Sequence, residues 1–338
     1  MSQTPPKSKS QRLHSLQSSR LTENSATPPD SGARLQRELK REIKGELEDA
    51  VFQSPDPFEK TYPTLPPADV LMIVEKLLNG KQLNDYLEHL GLPLQGPESL
   101  YYLPFSKLLN NVKTVMTALG FTAGSVYANV EFEVYDREMA DGTEDDAKLQ
   151  PGIIARQKDM SKTTLPDSAS WREVELCVEV KMNWSDLVAQ ASTYARCLFA
   201  FQRNRRFVPM IFFKQDTLEV KFGMYTPAWL CHSQKGLELR VESGFQDFVK
   251  CIARLFSRGS RWQAGFESST NNRECYIPGY GVYELKQNIC YRISARGRRT
   301  RVDVIQMSKN LAGAPRSKSH YFVSPLSILW NILVYCHR

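Results

Sequence analysis

The sequence predicts an α/β (α+β) fold, a mixed sheet with flanking helices, and three observations carry that expectation. Val174, Leu176, Val178 and Val180 alternate with Glu175, Cys177, Glu179 and Lys181, the period-two pattern of a strand with one apolar and one polar face. A long amphipathic helix follows at once, and after it come two short apolar runs joined by a polar turn. The order strand, helix, strand, strand, with further helices on either side, is that of a mixed sheet. Composition agrees: 41% hydrophobic and 24% charged residues are globular proportions, and 338 residues accommodate two ordinary domains with tails.

Each element has its own signal. Residues 1–33 are rich in Ser, Pro, Gln and Thr and bring too few large apolar groups to fold alone, so a disordered tail is expected. Leu35, Leu39, Ile43 and Leu47 recur at helical spacing among alternating charges and predict an amphipathic helix over 34–51. Pro55, Pro57, Pro63, Pro66 and Pro67 mark a connector, so 34–64 reads as helix and Pro-rich linker. A helix over 70–79 stops at Gly80, another over 105–119 stops at Gly120, and 127–135 alternates like a strand. Residues 136–150 form an acidic loop with a turn signal at Asp141-Gly142, and 153–156 make a short strand.

Beyond the 174–181 strand, Asn183 to Asp186 offer capping chemistry to a helix whose apolar stripe is Leu187, Ala191, Tyr194, Ala195, Leu198 and Phe199. Arg203, Arg205 and Arg206 suit the negative end of its dipole. Strands are expected over 208–213 and 217–222, and a helix over 245–256.

Charge is unevenly spread. Residues 251–338 hold 14 Lys/Arg against 4 Asp/Glu, so the net charge of +7 comes wholly from the C-terminal part. Such a skew serves a nucleic-acid or phosphate-bearing partner, or a solvated segment with none. Among the seven cysteines there is no Cys-x-x-Cys pair, and the polar N-terminus lacks the apolar core of a secretory signal. These features point to reduced thiols in an intracellular protein, cytoplasmic or nuclear. The sixteen-residue apolar run 321–336 falls short of the ~20 residues of a membrane helix, so no membrane association is expected.

Glu179 and Lys181 stand two apart on one strand and project the same way. A carboxylate that holds a cation and a lysine that orients water need that geometry. A half-exposed strand with an incidental ion pair has it too.

The run Trp171 to Lys181, then Gln190-Ala-Ser-Thr-Tyr194-Ala-Arg196, then Gln202-Arg203-Asn-Arg205-Arg206-Phe207-Val208, resembles the fungal-type protein kinases over about residues 65–302. In that family a domain of this kind precedes a kinase domain and itself looks like the PD-(D/E)xK nuclease fold. The resemblance implies a nuclease-like domain at 65–280. Glu179 and Lys181 match the second half of the motif, and Gln190 and Tyr194 resemble a Gln-x-x-x-Tyr element of some such nucleases. The first half departs from it: the expected Pro-Asp is Pro151-Gly152, and metal-dependent hydrolysis needs at least two carboxylates. Glu131 or Glu133 would have to substitute.

Residues 281–307 resemble the start of a kinase N-lobe, with Gly297, Arg298 and Thr300 in the place of its glycine-rich, nucleotide-binding loop. Arg299 stands where a second glycine is usual. No Val-Ala-Ile-Lys, His-Arg-Asp or Asp-Phe-Gly follows, and 308–338 reads as an irregular apolar tail. ATP and Mg²⁺ are implied by the resemblance alone. The expected function is that of a truncated or degenerate family member, a pseudoenzyme acting as a regulatory or binding module with a protein partner. Two alternatives stand beside it. One is a Mg²⁺-dependent nuclease, and the other is nucleic-acid binding through Arg292, Arg296, Arg298, Arg299 and Arg301.

Overall fold

The run 174–181 becomes the middle of a large sheet. The computed structural model describes residues 50–140, 149–158 and 169–266 apart from isolated positions, parts of a helix at 41–47, and the backbone of five strands between 274 and 334. In chain order the elements of the first unit are β1 (Val51–Ser54), α1 (Pro67–Leu78), α2 (Leu83–His89), α3 (Ser99–Ala118), β2 (Val130–Val134), β3 (Ile153–Gln157) and β4 (Val174–Lys181). They continue with α4 (Trp184–Phe201), β5 (Val208–Lys214), β6 (Glu219–Tyr225), β7 (Leu230–Ser233), β8 (Leu237–Glu238) and α5 (Glu242–Phe256). The strands lie in the order β1-β7-β6-β5-β4-β3-β2, with β8 beside β6. Neighbours β2, β3 and β4 pair antiparallel, β4 and β5 pair parallel, and α4 is the crossover that a parallel pair requires. The mixed α/β architecture is as the sequence predicts.

One feature of β4 is not. Seven of its eight residues are buried, its supposed polar face included. Helix α4 lays Leu187, Ala191, Tyr194 and Leu198 over that face, beside Val174 and Cys177. The other face, with Leu176, Val178 and Val180, packs under α3 and α5 through Phe105, Phe248 and Ile252. Phe105 stacks on Phe213 with centroids 4.3 Å apart. Charges alternate along β4 because specific partners receive them, and water does not.

Helix α3 begins six residues ahead of the expected start at Phe105 and contains Pro104. Pro104 costs one backbone hydrogen bond. The burial of Tyr101, Tyr102 and Phe105 holds the extra turn in place. Helix α3 also closes the sheet's β2 edge. Asn110 Nδ2 and Ser106 Oγ donate to the Phe132 carbonyl at 2.7 and 2.9 Å, Asn110 Oδ1 accepts from Phe132 N at 3.0 Å, and Lys113 Nζ donates to the Val130 carbonyl at 2.6 Å. The edge-facing Val130 carbonyl and both backbone groups of Phe132 are thus occupied.

The stretch expected as a linker is part of the core. Helix 41–47 gives way to β1 at Val51, not beyond it, and β1 pairs with β7. Phe58 and Tyr62 are buried, Phe58 against Phe222 at 5.6 Å, while Asp56 and Thr64 both bind Arg254. Arg205 does not serve the dipole of α4 either. It is fully buried, donates from Nε to the Phe207 carbonyl at 2.9 Å and reaches Glu175 at 3.3 Å. Gln202 Nε2 ties the end of the same helix to the carbonyls of Trp171 and Val174, at 2.8 and 2.6 Å. The block 171–208 is therefore one packing unit.

A second sheet follows, an antiparallel meander of β9 (Glu274–Ile277), β10 (Gly281–Tyr291), β11 (Thr300–Met307), β12 (His320–Pro325) and β13 (Ile332–Val334). Gly281 opposes Ile277, so this sheet straddles the boundary expected at 280. The tail expected to be irregular over 308–338 contributes β12 and β13, where Tyr321, Phe322 and Val323 are good strand formers. Thr300 and Arg301 lie on β11. The tail 1–33, Leu35, Leu39, the Asp141-Gly142 turn, Arg203, and Arg292, Arg296, Gly297, Arg298 and Arg299 lie outside the described residues. Among the described residues no helix is long and apolar enough to cross a membrane.

Candidate functional site around Glu179 and Lys181

Asn183 Oδ1 caps α4 by accepting from Asp186 N at 3.0 Å, which turns the chain straight from Lys181 into the helix. The end of β4 is thereby pinned beneath α4. Glu179 is 3% exposed there. Lys181 Nζ stands 3.1 Å from Glu179 Oε1 and donates to both oxygens of Glu98, at 2.7 and 2.6 Å. Glu98 immediately precedes α3, and one turn on Tyr102 donates its hydroxyl to Glu98 Oε1. From α4, Gln190 Nε2 donates to the Tyr194 hydroxyl at 3.0 Å. That hydroxyl lies between the Gln150 carbonyl, at 3.1 Å, and the Glu179 carboxyl.

The four residues marked by spacing, Glu179, Lys181, Gln190 and Tyr194, therefore meet. Sequence reasoning missed Glu98 and Tyr102. Their signal was a glutamate just ahead of an apolar run, visible only once the helix is started at Ser99.

Position 152 is decisive. Strands β3 and β4 run in register with Ile153 opposite Val178, which brings residue 152 alongside Glu179. A Cβ placed on Gly152 would lie 2.4 and 2.5 Å from Cζ and Cε1 of Tyr102, well inside contact distance. Glycine is needed because an aromatic ring fills the volume that an aspartate side chain would take. The substitute carboxylates are engaged elsewhere: Glu131 pairs with Lys158 at 3.1 Å, and Glu133 accepts from Arg156 Nη2 at 3.1 Å.

Electrostatics follow from burial. Desolvation pushes the Glu179 carboxyl up to about 7, Lys181 pulls against that, and Glu98 adds repulsion. Burial favours the neutral form of Lys181, but Glu179 and Glu98 outweigh it and hold the ammonium above its ordinary range. The Tyr102 and Tyr194 hydroxyls are pushed up by burial, so both remain donors. The cluster can hold one ammonium between two carboxyl groups and can take up or release a proton near neutrality.

It does not fit Mg²⁺. A hard cation wants several free oxygens, and here the two carboxyl groups already share Lys181 while Tyr102 covers the third position. Among the described residues no group of three or more His, Cys, Asp or Glu side chains is placed to hold a metal ion. No protein-family model, curated protein or solved structure matches this chain.

Proposed function

We propose that residues 65–280 form a non-catalytic regulatory or binding module with a PD-(D/E)xK-like core, in a chain related to the fungal-type protein kinases, and that its partner is a protein. Support for the nuclease-like core comes from the register that sets residue 152 beside Glu179, from Lys181 and Tyr194 at that carboxyl, and from Gln190 bonded to the Tyr194 hydroxyl. The observation that carries the non-catalytic reading is the Tyr102 ring against Gly152. A metal-bound water would need the space the ring holds, and Lys181 would have to leave Glu98 to orient it. The kinase relation draws support from β10 and β11, which pair antiparallel as the two strands flanking a phosphate-covering segment do.

Incubation of the purified chain with supercoiled plasmid or single-stranded DNA, at millimolar Mg²⁺ or Mn²⁺, tests the reading. Wild type and Glu179→Gln are expected to leave both substrates intact. Metal-dependent cleavage that disappears in Glu179→Gln would overturn it. So would transfer of phosphate from ATP to a generic protein substrate that is lost in Lys181→Ala.

A further inference from the structure

On the α4 side of the first sheet lies a cavity of about 590 Å³, distinct from the Glu179 cluster. Its floor is the row Phe212, Lys221 and His232 of β5, β6 and β7, with Phe212 opposite Lys221 and His232 opposite Gly223. Gly223 makes room for the Phe212 ring, which a Cβ there would meet at 2.5 Å. Trp184 forms one wall from the first turn of α4, while Lys44 and Gln53 close the other side.

The chemistry of this lining is one-sided. Among the described residues it contains two lysines and no carboxylate. Lys221 is half-buried with its ammonium 4.4 Å from the centre of the Trp184 ring, and burial weakens its hold on its proton. Among the described residues neither lysine forms an ion pair. His232 is buried and its Nδ1 is 2.9 Å from the Ser233 carbonyl, which only accepts, so Nδ1 carries the proton and Nε2 is left as an acceptor. Burial disfavours the imidazolium, in keeping with that neutral ring.

Lys221 is drawn partly out of water against Trp184, Glu219 two residues along β6 only partly compensates it, and an anion in the cavity offsets the remaining cost. The apolar walls, Leu47, Val188 and Phe212 among them, give a bare hydrated ion nothing to pack against. The volume falls in the usual range of small-molecule sites, roughly 300–1,000 Å³. We infer that this cavity binds a small organic anion with an aromatic body, its phosphate or carboxylate between Lys221 and Lys44 and its ring against Trp184 and Phe212. His232 Nε2 and the Gln53 amide then select for hydrogen-bonding groups on that ring. The inference does not depend on the reading of the Glu179 cluster.

Calorimetric titration of the full chain with 1-naphthyl phosphate, 1-naphthoate, 1-naphthol and inorganic phosphate tests it. At least one aromatic anion is expected to bind about tenfold more tightly than 1-naphthol, and inorganic phosphate is expected to give no signal. The tighter of the two anions identifies phosphate or carboxylate as the natural head group. Lys221→Met, which keeps the stem over Trp184, should weaken the anion about tenfold at an unchanged melting temperature. Should that variant fail to fold, Lys44→Glu at the exposed rim should do the same. Equal affinity for anion and naphthol, unaltered binding in the folded variants, or no binding by either anion would overturn the assignment.

Discussion

Glu179 is a carboxyl whose surroundings pull in opposite directions. Burial and Glu98 favour the acid, and Lys181 favours the carboxylate, leaving it at about 7 against an ordinary 4.5. The folded protein therefore holds this proton over a range in which the unfolded chain has released it. Stability drawn from the group is complete below about pH 4.5 and falls as pH rises to about 7. Glu179→Gln removes that slope. Urea midpoints measured from pH 4.5 to 8 should show wild type losing stability relative to the variant across this window, with the difference constant above it. Parallel curves would show that the carboxyl is ionised throughout. At this scale the sequence was informative where spacing alone settles proximity, as for Gln190 and Tyr194 on one helix face or Glu179 and Lys181 on one strand. It was silent on Glu98, because the contact with Lys181 spans eighty-three residues and depends on where a helix starts.

Helix α3 and strand β4 show what patterns misjudge at the scale of elements. The alternation in β4 was legible and its meaning was inverted, since Glu175 and Glu179 face Arg205 and Lys181 in the interior. Period-two charge says that two faces differ and does not say that one is wet. Three further strands of this sheet, β1, β7 and β8, escaped notice; they span four, four and two residues and show no period-two pattern. Helix α3 and the residue that precedes it do three jobs. Glu98 holds Lys181, Tyr102 fills position 152, and Asn110 bonds to both backbone groups of Phe132. Asn110→Ala leaves the Phe132 N–H without its partner and its carbonyl with Ser106 alone, and should destabilise the fold by about 1–3 kcal/mol. Chemical denaturation measures the loss, and a change within ~0.3 kcal/mol would mean that water replaces the amide.

For the molecule as a whole, the described core lies between Phe58 and Phe266, apart from the small contact of Ile43 and Leu47 with Val188. Among the described residues the strands of the second sheet pair only with one another. A chain of residues 41–266 is accordingly expected to unfold cooperatively, with a urea midpoint close to that of the first transition of the full chain. An insoluble or non-cooperative fragment would show that the second sheet completes the core. The mixed α/β class was readable from the succession 174–222, where periodicity changes sharply between elements. The boundary near 65 was not, because prolines mark a turn in the chain path as well as a linker. Phe58, between two of them, is fully buried.

The contact between Tyr102 and Gly152 also fixes the order in which the two positions can change. Any side chain at 152 meets the ring first, whereas a smaller residue at 102 opens a void and gives up the bond to Glu98, beside a glycine that tolerates both. Stepwise substitution toward a carboxylate at 152 must pass through a loss of packing at 102, under a helix turn that also carries Glu98. The one-way character of that path comes from the shape of a single ring.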